Sequence, residues 1–182
     1  MTDEERMTDA PDEEPVDEKD ILIVLLRHGI AEEKTEGKAD EDRSLTAEGH
    51  ARMKQIARGL ATAFPRAQAI YSSPLLRAVQ TALWVSKGYR SRIKVNTTDA
   101  IVPGAGSDEF IAFVKTLTAR RVIIVGHEPN LTENAMELIG VTGGEVELKK
   151  GGCYCIRFHT DGSCELEWLL TPRLLRKLGE GD

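Results

Sequence analysis

Two histidines in this chain each follow directly on a long apolar run, in Leu25-Leu26-Arg27-His28-Gly29 and in Ile124-Val125-Gly126-His127-Glu128-Pro129-Asn130. An imidazole changes charge near neutral pH, and the guanidinium beside His28 presents a planar fork of donors suited to an oxyanion. A third segment, Ser72-Ser73-Pro74-Leu75-Leu76-Arg77-Ala78-Val79-Gln80-Thr81-Ala82, places Arg77 in what reads as the first turn of a helix. The helix dipole disfavours a cation there, so something else must reward it. A bound phosphate would do so, because it pairs with the guanidinium and is attracted to the free N–H groups of a helix start.

Such groups need a frame. The runs Ile21–Leu26, Gln68–Ser72, Arg92–Asn96, Arg121–Gly126, Glu145–Lys149, Cys153–His159 and Cys164–Leu170 read as strands, and the first of these is apolar enough to be buried on both faces. Helical spacing is clearest over Thr46–Phe64, where Met53, Ile56, Ala57, Leu60 and Phe64 recur at intervals of three and four, with Thr46 as the N-cap and Pro65 ending the pattern. Further helices fit Leu75–Ser86, Ser107–Ala119 and Asn130–Ile139. Strands alternating with helices, then a run of late strands, predict an α/β fold: a three-layer α/β/α sandwich with a mostly parallel central sheet and antiparallel edge strands. Active sites of such sheets gather past the carboxyl ends of the strands, so neighbouring parallel strands would open His28 and His127 onto one crevice. Gly29 and Gly126 would let a substrate approach the backbone there. Residues 31–43 form a charged connection of the kind that lies over a site. Gly143-Gly144 and Gly151-Gly152 read as turns rather than phosphate loops, because no helix follows either pair.

The 182 residues suit one domain, and the formal charge of −6 is unevenly spread. Residues 1–20 hold ten Asp/Glu against two Lys/Arg, which leaves 22 basic against 20 acidic residues in 21–182. Residues 1–20 are therefore expected to be a disordered acidic leader, since they lack the apolar surface to repay ordering, and 21–182 the folded domain. A slightly basic body suits an anionic substrate without implying nucleic acid. No signal peptide or membrane span is evident, so a cytoplasmic protein is expected. Cys153, Cys155 and Cys164 lack the spacing of a zinc site and read as small buried hydrophobes.

The chain resembles the histidine phosphatase superfamily, and at this length its phosphohistidine phosphatase branch. The matching residues are Arg27-His28-Gly29, the segment Arg43-Ser44-Leu45-Thr46-Ala47-Glu48-Gly49, the segment Ser73-Pro74-Leu75-Leu76-Arg77-Ala78 with Thr81-Ala82, and Gly126-His127 with Pro129-Asn130. An Arg-His-Gly triplet alone arises by chance in on the order of one per cent of chains this long, whereas four motifs in order are far harder to obtain by accident. The resemblance implies that neutral His28 attacks phosphorus and is transiently phosphorylated. Arg27, Arg77 and His127 would hold the equatorial oxygens, and water would then release phosphate. It implies no metal or other cofactor. Arg43 and Ser73 are further candidates for touching phosphate, with a solvated or helix-start contact and a capping role as their alternatives.

Ester-cleaving members use a carboxylic acid to protonate the leaving alkoxide. Asp99, just after the third strand, is the nearest candidate by position, and Glu109 and Glu128 are weaker ones. The absence of an evident acid favours phosphohistidine, whose imidazole leaves more readily than an alkoxide. The expected partner is a phosphohistidine-containing phosphotransfer protein, with a monomeric enzyme acting in signal transduction. The alternatives are a small phosphorylated substrate of a phosphomonoesterase and, in another class, a non-catalytic phospholigand-binding module.

Overall fold

The computed structural model describes residues 20–143 and 146–181. The expected acidic leader lies outside them except for Asp20. That residue is buried, with its carboxylate 3.1 Å from Nδ1 of His159 and 3.7 Å from the guanidinium of Arg157, so it belongs to the folded body rather than to the leader. His159 is half-buried by the same contact.

The elements in chain order are β1 (Ile21–Arg27), α1 (Ala47–Ala63), β2 (Ala69–Ser72), α2 (Leu76–Gly88), β3 (Val95–Thr97), α3 (Ser107–Lys115), β4 (Arg121–Gly126), α4 (Asn130–Leu138), β5 (Cys153–Phe158), β6 (Cys164–Leu170) and α5 (Pro172–Leu178), with short 3-10 turns at Asp40–Asp42 and Asp99–Ile101. They build one six-stranded sheet in the order β3-β2-β4-β1-β5-β6. Its first four strands are parallel, and β5 and β6 are added antiparallel at one edge. Alternate strand residues face opposite sides, as a period of two requires. Val24, Leu26, Ile123 and Val125 pack under α1, α2 and α5, while Ile23, Leu25, Val122 and Ile124 pack under α3 and α4. The three-layer α/β/α arrangement is thus the one expected from the alternation of elements.

Two segments differ from their sequence patterns. Residues 146–149 form no strand; Glu145 lies outside the described residues. Both edges of β5, the strand it leads into, are already paired, to β1 and β6, and the segment pairs with no other strand. Its carbonyls serve the site instead: Leu148 O accepts from Arg27 Nη1 at 2.6 Å, and Lys149 O from Gly152 N at 2.7 Å. The second difference is α5, which the sequence pattern did not reveal, since seven residues give too few turns for periodicity to register. Its signal was local. Thr171 accepts a hydrogen bond from Leu174 N, Pro172 fills the first turn and Gly179 follows the end.

One helix start beside the site depends on a glycine. Thr46 Oγ1 caps α1 by accepting from Gly49 N at 3.0 Å, and Thr46 N donates to Ile30 O, also at 3.0 Å. A Cβ on Gly49 would lie 2.0 Å from that same Ile30 carbonyl oxygen, so α1 can dock on the segment that follows His28 only because this position has no side chain. Alanine in a helix interior ordinarily stabilises by up to about 1 kcal/mol relative to glycine. Here the clash is with backbone and reverses the sign. Gly49→Ala is expected to destabilise by about 2–3 kcal/mol in chemical denaturation, and a neutral or stabilising result would contradict this packing.

Candidate active site

The carboxyl ends of β1, β4 and β2 carry the candidate residues to one place. β1 and β4 pair in register with Arg27 opposite Gly126, so His28 and His127, one residue beyond each, emerge side by side with ring centroids 5.1 Å apart. Ser72 of β2 pairs with Val125 of β4, and the chain beyond it turns into α2, whose first turn brings in Arg77. Thr81 ties these parts together, as its hydroxyl accepts from Gly29 N at 3.0 Å and donates to Arg77 O at 2.7 Å. The result is a cavity of about 280 Å³ lined by Arg27, His28, Ala31, Lys34, Asp40, Arg43, Arg77, Pro103, His127, Glu128 and Lys150.

Hydrogen bonding fixes the tautomer of His28. His28 Nδ1 lies 2.7 Å from Gly29 O, and because a carbonyl can only accept, Nδ1 carries the proton and Nε2 keeps a free lone pair. Burial, together with the charges of Arg77, Arg27 and Lys150, lowers the His28 pKa to about 4, so the ring is neutral at pH 7. His127 is lowered to about 3 by burial and by its neighbours His28 and Arg77. Its Nε2 lies 2.9 Å from Ser73 Oγ. A serine hydroxyl can donate or accept, and in the tautomer in which Ser73 donates to Nε2, His127 Nδ1–H is a donor without a protein partner.

Among the described residues, five buried side-chain nitrogen or oxygen atoms lack a hydrogen-bond partner, and four of these belong to cavity residues: Arg27 Nε, Arg77 Nε, His127 Nδ1 and Glu128 Oε1. Buried polar groups are rarely left so, and three donors converging on one small cavity are the complement of an oxyanion. The lining charges agree, with five cations against two carboxylates and both imidazoles neutral.

Of the two remaining phosphate-contact candidates, Arg43 lines the cavity and Ser73 does not. Arg43 is braced by Asp40 Oδ1 at 3.0 Å and Glu32 O at 2.6 Å. Ser73 is fully buried and holds His127 from behind. The charged connection does lie over the site, supplying Lys34 and Asp40. Asp40 accepts from Arg77 Nη2 at 2.8 Å, and although burial opposes it, Arg77 and Arg43 hold its carboxyl below the ordinary range.

The general acid expected at Asp99 is corrected by position. Asp99 is exposed in its 3-10 turn and does not line the cavity, and neither does Glu109. Glu128 does line it, and burial raises its pKa. Its place next to His127 at the end of β4 is the available signal, outweighed in the sequence by the position of Asp99 just after the third strand. Lys150 went unnoticed because the segment before it read as a strand. Asn130 clamps the opposite rim, accepting from Gly104 N at 3.1 Å and donating to Ala105 O at 2.7 Å beside Pro103.

Comparison with known proteins places this geometry in context. Residues 23–101 match the family model of the histidine phosphatase superfamily (branch 1). An uncharacterised protein of Picosynechococcus sp. is 32% identical over 164 residues, covering 84% of this chain and 98% of that protein. Among solved structures, the protein histidine phosphatase SixA complexed with tungstate aligns with a TM-score of 0.76 at 20% identity, over 85% of this chain and 99% of that one. A phosphoserine phosphatase mutant from Entamoeba histolytica in complex with phosphoserine aligns at 0.67 with 17% identity, over 85% and 99% of the two chains. At these identities the structural likenesses establish a common fold. No helix among the described residues is long and apolar enough to cross a membrane.

Proposed function

The chain belongs to the histidine phosphatase superfamily, and on that premise we propose that it removes phosphate from phosphohistidine on a phosphotransfer protein through a covalent intermediate on His28. The observation that carries this reading is the tautomer of His28, with Nδ1–H tied to Gly29 O and Nε2 left bare in a cavity into which Arg27, Arg77 and His127 each bring a nitrogen without a protein partner. The Nε2 lone pair forms a bond to phosphorus as the P–N bond of the substrate breaks, and the departing imidazole takes a proton. Arg27, Arg77 and His127 Nδ1–H hold the three equatorial oxygens through both displacements. Water then attacks phosphorus, returning the bonding pair to Nε2 and releasing inorganic phosphate. Splitting one displacement into two and presenting fixed donors lowers both barriers. A cavity of about 280 Å³ accommodates a phosphorylated side chain, which leaves the rest of a protein substrate outside.

Glu128 favours a second reading. A half-buried carboxyl with a raised pKa, placed beside the reacting centre, can protonate an alkoxide, as a small-molecule phosphomonoesterase requires. One panel separates the two. With a phosphohistidine protein, wild type and Glu128→Gln are expected to turn over within about threefold of each other, because imidazole needs little acid assistance. With an alkyl phosphate the substitution should cost about 10²-fold. Efficient wild-type hydrolysis of alkyl phosphates without turnover of the phosphohistidine protein would replace the first reading by the second.

A further inference from the structure

The end of the sheet opposite the active site holds a second charged feature. Between the carboxyl ends of α1 and α2 runs a groove of about 530 Å³ that carries Arg58, Arg66, Arg90 and Arg92, and no acidic residue lines it. None of the four arginines takes part in an ion pair among the described residues. The Tyr89 hydroxyl, also in the lining, is committed to Phe64 O at 2.5 Å, so the open hydrogen-bonding capacity of the groove is guanidinium. Four unpaired cations within one concavity repel one another, and an acidic ligand relieves that repulsion while meeting their donors.

We infer that this groove is a docking site for the chain's own acidic segment, residues 1–19, which carries nine Asp/Glu against Arg6 and Lys19. The topology brings the start of the described residues, from which that segment extends, to the same end of the sheet as the groove. β1 begins at the same end of the sheet, with Leu22 N bonded to Arg120 O and Gln68 N bonded to Arg121 O, so β4 alone stands between the start of β1 and the start of β2. Arg66 lies three residues before β2, and Arg92 three residues before β3. Two strand spacings amount to about 10 Å, a span that a few residues of extended chain cover at about 3.3 Å each. Covalent linkage keeps the segment at an effective concentration that a free anion must compete against. The cations of the active site are a poorer target, because Asp40 already pairs with Arg43 and Arg77 there. This inference is independent of the phosphatase reading.

The test uses the full chain and a protease that cuts after glutamate, following loss of the segment at Glu13, Glu14 and Glu18, with the free peptide 1–19 correcting for the effect of salt on the protease. At about 0.02 M salt the wild type is expected to be cut about fivefold more slowly than an Arg58→Gln/Arg92→Gln variant, and at about 0.5 M salt the difference should vanish through screening. An Arg66→Gln/Arg90→Gln variant, which removes the other two cations, should lose protection in the same way, so the result does not hang on the folding of one variant. Equal cutting of wild type and both variants at low salt would overturn the proposal. Groove-dependent binding of tripolyphosphate with no protection of the segment would overturn it too and assign the groove to a phosphorylated ligand.

Discussion

Replacing His28 with alanine is expected to reduce phosphohydrolase turnover by about 10⁴-fold or more, because it removes the atom that bonds to phosphorus rather than one that assists it. The oxyanion donors Arg27, Arg77 and His127 stay in place, so the variant should still bind vanadate or inorganic phosphate within about an order of magnitude of wild type. The pH profile sharpens the expectation. An ordinary histidine would lose its nucleophilic form below about pH 6.5, but burial and the charges of Arg77, Arg27 and Lys150 bring His28 to about 4. Protonation removes the Nε2 lone pair, so kcat/KM in the wild type should hold from neutrality down to about pH 5 and fall as His28 titrates. A descending limb centred near pH 6.5 would contradict the electrostatic account of the cavity.

Arg77→Ala is expected to lower kcat by about 10²–10³-fold, the usual cost of one fixed donor to a developing oxyanion. The side chain is buried, with Nη1 on Asp40 O at 2.7 Å and Nη2 on Asp40 Oδ2 at 2.8 Å, while Nε has no protein partner. Asp40 thus holds the guanidinium in place and leaves donor capacity for phosphate. Arg77→Lys keeps the charge but not the fork, since an ammonium cannot bond Asp40 in two places and still reach an oxygen held in a fixed direction. It should recover little of the loss. Turnover of either variant close to wild type would remove Arg77 from the transition state.

Most of this site could be read from the chain because its residues sit at the ends of elements with strong local signatures. The apolar runs that end at His28 and His127 become adjacent parallel strands with Arg27 opposite Gly126, and that register makes them neighbours. Arg77 was legible through its conflict with the helix dipole, and the Thr46 cap through its place before a periodic segment. What stayed hidden depends on tertiary space. The segment 146–149 has the composition of a strand but pairs with none, and only its folded position shows that Leu148 O holds Arg27 and that Lys150 shares the cavity with His28. The choice of Glu128 over Asp99 turns on which carboxyl enters the cavity, a matter of side-chain direction that spacing does not encode. Gly49 stood within a motif, yet its reason, the Ile30 carbonyl packed against its Cα, is visible only in three dimensions.

The central claim is that phosphate passes through a bond to His28 Nε2, and trapping that bond tests it most directly. Phosphohistidine hydrolyses in acid, so the wild type should be mixed with an isotopically labelled phosphohistidine protein or phosphoramidate, quenched in alkali within the first turnover, and digested for mass analysis. The account predicts a phosphoryl group on the peptide that contains His28, labile to acid, formed before free phosphate appears and missing from His28→Ala. Release of phosphate at full rate with no label on that peptide, or label on His127 instead, would contradict it.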